Sequence, residues 1–205
     1  MELYIFRHGK TVWNTIRKIQ GHSDIELTEQ GREVARATRE AIKGIHFDAI
    51  YASPLVRAYE TARILRGERD MEIKTDDRLM EISFGVMEGA HCDKLTDLDP
   101  GSPFHMFFNQ PELYPTPEGG ESFDDITDRA RSFLDDLVRW QKDTDRVMIV
   151  AHGAMNKALL RVIRNLELKD YWKGMLQKNC GVTIVKYDGS NYEMIEESKV
   201  FYSEG

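Results

Sequence analysis

The chain has 205 residues, a hydrophobic fraction of 41% and a formal net charge of -7 at pH 7. This length predicts one large domain, and the apolar fraction is enough for a sizeable core. The negative charge disfavours nucleic acid as a partner, and no apolar run reaches the roughly 18 residues of a membrane span. A small anionic ligand would therefore need a local positive pocket.

The cysteines and the N-terminal sequence indicate the cellular compartment in which the protein is expected. The two cysteines, Cys92 and Cys180, lie far apart and have no CxxC spacing, which predicts free thiols in a reducing cytoplasm. The sequence starts directly with an apolar strand pattern, so we expect no signal peptide. No zinc-type or EF-hand-type cluster is present, so the sequence predicts no metal site.

Strand and helix patterns alternate along the chain. The predicted strands lie at residues 3–6, 48–52, 71–75, 146–151, 182–187 and 192–196. The predicted helices lie at residues 11–19 (a turn or two), 28–43, 53–67, 124–141 and 154–164. Thr28 is a typical N-cap, and Ser53-Pro54 is typical of a capped helix start. The last two strands form a hairpin.

This alternation predicts an α/β fold, a three-layer α/β/α sandwich with a mainly parallel central sheet. The sequence between residues 84 and 121 is rich in Gly, Pro and aromatic residues and is predicted to be irregular. We expect a single domain, 1–205, with a lid-like insertion at about 86–122.

Polar side chains follow three of the predicted strands. Arg7 and His8 end the first strand, His152 ends another, and Arg57 comes shortly after a third. Ligands of parallel α/β sheets bind beyond the carboxyl ends of the strands. We therefore expect these side chains to converge on one rim of the sheet.

These residue types suit phosphate chemistry. Arg7, Arg57 and His152 can donate charge-assisted hydrogen bonds to phosphate oxygens. His8 can be the nucleophile if one ring nitrogen is unprotonated and the other donates to an acceptor such as a backbone carbonyl. Glu81 can protonate the leaving oxygen and later activate water. Helix N-termini after Ser53 and after Gly153 are expected to aim backbone N–H groups at the anion.

Six motifs in order resemble the phosphoglycerate-mutase-like branch of the histidine phosphatase superfamily. They lie at residues 7–14, 20–28, 53–62, 81–89, 119–123 and 150–153. The resemblance implies a phosphohistidine intermediate on His8, with Glu81 as proton donor. It also implies a phosphate pocket of Arg7, Arg57 and His152, with no metal and no cofactor.

Several further positions match residues that line this pocket, namely Asn14, Gln20 and Gly21, and Gly153 follows the second histidine. Two positions depart from the family pattern. Lys10 stands where an acidic residue or Gln is common, and Met87 stands where Trp is common. Lys10 adds positive charge near the site, so we interpret it as a substrate-binding residue that predicts a second negative group on the substrate.

Three functions remain open: two enzymatic activities and a binding module without catalytic activity. Mutases of the family typically carry a longer basic insertion, whereas residues 90–118 hold one Lys, Lys94, and no Arg. This favours a phosphatase of small phosphorylated metabolites over a phosphoglycerate mutase of the 2,3-bisphosphoglycerate-dependent type. A catalytically silent binding module is disfavoured by the intact residue set. Glu88 is an alternative to Glu81 for the role of the acid. The chain is expected to be a monomer or a homodimer.

Overall fold

The computed structural model describes residues 1–92 and 103–202. Its strands are β1 (Glu2–Arg7), β2 (Ala49–Ala52), β3 (Ile73–Thr75), β4 (Arg146–Ala151), β5 (Val182–Tyr187) and β6 (Tyr192–Lys199). They form one sheet in the order β3-β2-β4-β1-β5-β6. The first four strands pair in parallel, whereas β5 and β6 are antiparallel. The prediction of a mainly parallel sheet is confirmed.

Helices cover both faces of this sheet. They are α1 (Val12–Thr15), α2 (Glu29–Ile42), α3 (Val56–Arg66), α4 (Pro103–Asn109), α5 (Phe123–Trp140) and α6 (Gly153–Arg164). Side chains of α2 and α3 share one core with Phe6 of β1, and those of α5 and α6 share the other with Leu3 and Ile5. The alternation of side chains along a strand explains this division. The three-layer α/β/α sandwich is therefore confirmed.

Strand register brings the two motif histidines together. Arg7 of β1 pairs with Ala151 of β4, so the residues that follow them, His8 and His152, leave the sheet side by side. Their ring centroids lie 5.2 Å apart. In β2, Ala52 pairs with Val150, which brings Ser53 to the same rim. The expected convergence at the carboxyl ends of the parallel strands is confirmed.

Two local predictions are wrong. Ser53 is not the N-cap of α3, which begins at Val56 with Leu55 at the cap position; the Ser53 hydroxyl accepts from the Leu55 N–H at 3.3 Å and from the His152 ring at 2.8 Å. The segment predicted as irregular between 84 and 121 contains α4, whose aromatic side chains pack on the core. Residues 93–102 of the predicted lid lie outside the described residues. No helix in the described part of the chain is long and apolar enough to cross a membrane.

Candidate active site

A cavity of about 500 Å³ opens at the convergence rim. The predicted residues that line it are Arg7, His8, Asn14, Gln20, Gly21, Arg57, Glu81 and Gly153. Two predicted residues, His152 and Lys10, do not line it. The sheet therefore gathers most of the predicted set into one concave site, as is usual for ligand sites at a sheet rim.

His8 is held as a neutral imidazole with a defined tautomer. Its Nδ1 lies 2.7 Å from the Gly9 carbonyl oxygen, and since a carbonyl only accepts, Nδ1 carries the proton. Burial, followed by the charges of Arg57 and Arg7, lowers the pKa of His8 well below its usual value. The Gly9 backbone is fixed in turn by donating its N–H to Thr61 of α3 at 2.9 Å. Nε2 is thus left with a free lone pair, as a nucleophile requires.

Arg7 is anchored from the C-terminal part of the chain. Its Nη1 donates to the Gln177 carbonyl at 2.7 Å, while its buried Nε has no hydrogen-bond partner among the described residues. Burial lowers the pKa of Arg7, and the nearby Glu81 opposes that shift. A buried N–H without a partner is costly, so this guanidinium is well suited to bind an anion in the cavity.

Arg57 is fully buried and binds three groups at once. Nη1 donates to the Ser23 carbonyl at 2.8 Å, Nη2 to the Gly21 carbonyl at 2.7 Å, and Nε to His152 at 3.2 Å. Burial lowers the pKa of Arg57 to about 10, so the group is still a cation at neutral pH. Because a guanidinium has five N–H donors, two remain for a ligand.

His152 lies behind Arg57 and not on the cavity wall. Its Nδ1 accepts from Arg57, so its Nε2 carries the proton and donates to the Ser53 hydroxyl at 2.8 Å. Burial, with the charge of Arg57 next, lowers the pKa of His152 well below its usual value. Both ring nitrogens are occupied by the protein. In this structure His152 orients Arg57, which differs from the predicted direct contact with phosphate oxygens.

The N-terminus of α6 binds the Glu81 carboxylate. Ala154 N–H donates to Oε2 at 3.2 Å, and the N–H groups of Met155 and Ile82 donate to Oε1 at 3.0 and 3.1 Å. A helix N-terminus favours an anion, but here the anion is a side chain of the protein. The expectation that these N–H groups aim at the ligand is therefore corrected for Ala154 and Met155. The α3 N-terminus is likewise occupied, since Val56 N–H donates to Asp24 at 2.7 Å.

The backbone of Glu81 is fixed by residues that sequence reasoning missed. Arg129 of α5 donates to the Glu81 carbonyl at 2.9 Å, and the His22 ring lies 2.8 Å from the same oxygen. Arg129 also forms an ion pair with Glu121, at 2.8 Å. Glu121 belongs to the motif at 119–123, so this motif was the feature of the sequence that could have indicated the contact with Arg129.

Glu88 is disfavoured as the alternative acid because, unlike Glu81, it is not among the residues that line the cavity, and its carboxylate holds a loop in place. It accepts from the N–H groups of His22, Ser23 and Phe84 at 2.8–3.2 Å, and from the Ser23 hydroxyl at 2.7 Å. Gly21 has φ 51° there, and a Cβ atom on it would lie 2.1 Å from Glu88 Oε1. Glu88 therefore shapes the loop whose carbonyls hold Arg57.

Asn14 and Gln20 present amide groups to the cavity, whereas Lys10 does not reach it. The Thr11 hydroxyl lies 3.0 Å from Asn14 Oδ1 and 2.9 Å from Gln20 Oε1, so the oxygens face Thr11 and the NH₂ groups remain as donors. The Lys10 ammonium donates to Gln30 at 3.1 Å on the surface. The structure thus separates Lys10 from the site for which it was predicted.

The comparisons with known proteins agree with this geometry. The profile of the histidine phosphatase superfamily (branch 1) matches residues 3–198. The chain belongs to branch 1 of the histidine phosphatase superfamily. It is 34% identical over 191 residues to the probable phosphoglycerate mutase GpmB of Enterobacter sp. (strain 638), covering 93% of this chain and 86% of that protein.

Two further similarities cover most of the chain. It is 28% identical to phosphoserine phosphatase 1 of Hydrogenobacter thermophilus over 172 residues, covering 84% of this chain and 80% of that protein. The solved structure of Bacillus stearothermophilus YhfR has a TM-score of 0.88 and 36% identity, covering 97% of each chain. The resemblance named from the motifs is confirmed.

Beyond the catalytic motifs of the family, aromatic side chains form part of the cavity wall. They are Trp13, Phe84, Phe104, Phe107, Phe108 and Trp172. Phe107 lies in the core, where its ring centroid is 4.9 Å from that of Phe123. Phe104 and Phe108 are partly buried. The sequence drew attention to the aromatics of α4, but Trp172 comes from a distant loop and was missed.

The two neutral histidines of this histidine phosphatase predict a pH-dependent stability. Unfolding restores their usual pKa, so the unfolded chain binds more protons than the folded protein below about pH 6.5. The free energy of unfolding should therefore fall as the pH is lowered below 6.5, by up to about 1.4 kcal/mol per pH unit for each histidine. Urea titrations between pH 5 and 8 measure this slope.

The His8→Asn variant should reduce this dependence of the free energy of unfolding on pH. Its matched control is His46→Asn, which replaces a surface histidine with 81% of its side chain exposed. Equal slopes for the His8→Asn variant and the wild type would contradict the neutral, buried state of His8.

Proposed function

We propose that the protein hydrolyses small phosphate monoesters without a metal, through a phosphohistidine formed on His8. The observation that carries this proposal is the state of His8, a buried neutral imidazole whose Nδ1 proton is held by the Gly9 carbonyl. The name of the phosphoserine phosphatase relative supports the same activity. A cytoplasmic location and assembly as a monomer or homodimer stay predictions from the sequence.

In the first step, His8 Nε2 attacks phosphorus and the bond from phosphorus to the alcohol oxygen breaks. Glu81 gives a proton to that oxygen, so the alcohol leaves neutral. Arg7 and Arg57 donate to the phosphoryl oxygens, and their fixed positions favour the charge that develops there. The Asn14 and Gln20 amides and the N–H of Gly153 are further donors for this group.

In the second step, water attacks phosphorus and the bond from phosphorus to Nε2 breaks. Glu81, now a carboxylate, takes the proton of the attacking water, which restores both catalytic residues. The three backbone N–H groups at Glu81 hold the carboxylate in one place through both steps. The proposed role of His152 is to position Arg57, with Ser53 fixing the tautomer of the ring.

A phosphoglycerate mutase is the second candidate, because the Enterobacter relative carries that name. Such an enzyme would have to hold a bisphosphorylated intermediate while it reorients, which calls for polar partners around the glycerate. The wall near α4 offers aromatic rings, which favours hydrolysis, whereas Arg17 and Lys18 on another part of the wall could hold a glycerate carboxylate, so the two activities have to be separated by assay. A silent binding module is disfavoured because the nucleophile, the acid and the phosphate-binding cations all face one cavity.

The test is release of phosphate from p-nitrophenyl phosphate in the presence of EDTA, run beside an assay that interconverts 2- and 3-phosphoglycerate. We expect release to be unaffected by EDTA and isomerisation to be slower than hydrolysis. Isomerisation faster than hydrolysis would assign the chain to the mutases. Loss of release in EDTA would contradict the metal-independent mechanism, and no turnover in either assay would favour the silent module.

A further inference from the structure

One part of the cavity wall is a cluster of aromatic rings that catalysis does not use. Phe104 stacks on Phe84 at 6.0 Å, and Phe107 and Phe108 contact Trp172 at 5.2 and 4.9 Å. All five line the cavity. Phe84 and Phe107 are buried, so the partly buried rings of Phe104, Phe108 and Trp172 provide the apolar surface, and an aromatic group of a ligand gains free energy by leaving water to contact them.

Two cations line another part of the same cavity. Arg17 and Lys18 follow α1, and within the described residues neither has an ion-pair partner at 4.0 Å or less. Arg17 has φ 52°, a conformation that residues other than glycine rarely adopt. This backbone conformation is stabilised by a hydrogen bond from the Cys92 N–H to the Arg17 carbonyl at 2.7 Å. The Lys18 ammonium lies 5.4 Å from the centroid of the Trp13 ring.

The charges around the cavity are strongly unequal. Among the described residues that line it, the cations are Arg7, Arg17, Lys18 and Arg57, and the one carboxylate is that of Glu81. Glu81 is already bound to three backbone N–H groups. A phosphoryl group at His8 would engage Arg7 and Arg57. Arg17 and Lys18 are then left for a second negative group, and a ligand ammonium has no carboxylate of its own to pair with.

We propose that the substrate is a phosphomonoester whose alcohol carries a flat apolar group and a second anionic group such as a carboxylate. The apolar group stacks on the aromatic wall, and the second anion binds Arg17 and Lys18. This inference rests on the phosphatase proposed above. It moves the second anion from Lys10, where the sequence had predicted it, to cations that the structure places on the cavity wall.

Four matched compounds test this inference. They are ethyl phosphate, 2-phenylethyl phosphate, and the para-carboxyl and para-aminomethyl derivatives of the latter. All four release a primary alcohol, so differences in kcat/KM report binding of the distal groups. The phenyl ring should raise kcat/KM about tenfold or more over ethyl phosphate. The carboxylate should raise it about tenfold further, and the ammonium should lower it below that of the unsubstituted compound.

The double variant Arg17→Gln, Lys18→Gln isolates the anion-binding part of the inference. It should bring the ratio of kcat/KM for the carboxyl and unsubstituted compounds close to one. The matched control is Lys10→Gln, which removes one cation outside the cavity and should leave that ratio at the wild-type value. The ratio between two substrates corrects for any change in the amount of folded enzyme.

Equal kcat/KM for all four compounds, with p-nitrophenyl phosphate still hydrolysed, would overturn this inference and leave the phosphatase standing. A carboxylate preference that survives in the double variant, or disappears in Lys10→Gln, would overturn the assignment to Arg17 and Lys18. An enzyme that hydrolyses neither these compounds nor p-nitrophenyl phosphate would overturn the phosphatase and this inference together.

Discussion

Replacing His8 by alanine should lower kcat for every phosphomonoester by at least about 10⁴-fold, because nucleophilic catalysis is lost with the ring. The remaining arginines still bind the phosphoryl group, so KM should change much less than kcat. Phosphate release at saturating p-nitrophenyl phosphate measures this effect. His46→Ala removes a surface histidine and should keep wild-type activity.

The His8→Ala variant should stay folded. The lost ring leaves the Gly9 carbonyl without its side-chain donor, at a cost of about 1–2 kcal/mol in the free energy of unfolding. Far-UV circular dichroism and a urea titration check that the fold is kept. A folded His8→Ala variant with more than about one part in a hundred of wild-type kcat would contradict nucleophilic catalysis by this residue.

Replacing Glu81 by glutamine should produce a loss that depends on the leaving group. For an alkyl phosphate the alcohol oxygen needs a proton, so kcat/KM should fall by about 10²–10⁴-fold. For p-nitrophenyl phosphate the leaving phenolate is stable without a proton, so kcat/KM should fall far less. We choose kcat/KM because it reports formation of the phosphoenzyme and excludes its hydrolysis.

Glu88→Gln is the matched control for that experiment. This exchange weakens the bonds from the N–H groups of His22, Ser23 and Phe84, and it should lower the free energy of unfolding by about 1–3 kcal/mol. The ratio of kcat/KM for the alkyl and aryl substrates should keep its wild-type value. A similar change of this ratio in both variants would contradict the assignment of Glu81 as the acid.

Features encoded by short stretches of sequence were predictable. The buried strands, the Thr28 cap of α2 and the hairpin of β5 and β6 follow from local hydrophobic periodicity and turn chemistry. The meeting of His8 and His152 followed from one topological rule, that parallel strands end at the same rim. The acceptor that fixes the His8 tautomer is also a neighbour in sequence, the Gly9 carbonyl.

Features that depend on distant partners were not predictable. Ser53 has the pattern of a helix cap, but its hydroxyl binds His152, 99 positions away. The N-terminus of α6 was expected to bind the ligand, yet it binds Glu81 from another segment. Lys10 lies two residues after His8 but turns toward Gln30 on α2. Only the packed fold decides which of several chemically suitable partners is near.

The aromatic part of the cavity wall also depends on residues that are distant in sequence. Four phenylalanine and tryptophan rings from α4 and the Trp172 loop form one wall, although they are separated by more than 60 positions in the chain. The predicted lid at 86–122 stays a prediction, since residues 93–102 are not among those described. Of the α4 aromatics, Phe107 is buried in the core, Phe104 and Phe108 pack against the core, and all three line the cavity.

Trapping the phosphoenzyme is the decisive test of covalent catalysis by His8. Enzyme and substrate are mixed, quenched in alkali within one turnover, where phosphohistidine is stable, and the digested peptides are analysed by mass spectrometry. We expect a phosphoryl group on His8, and none at this position in the His8→Ala variant. A phosphoryl group on another residue, or alcohol released in a single turnover with no phosphoenzyme at any sampling time, would contradict it.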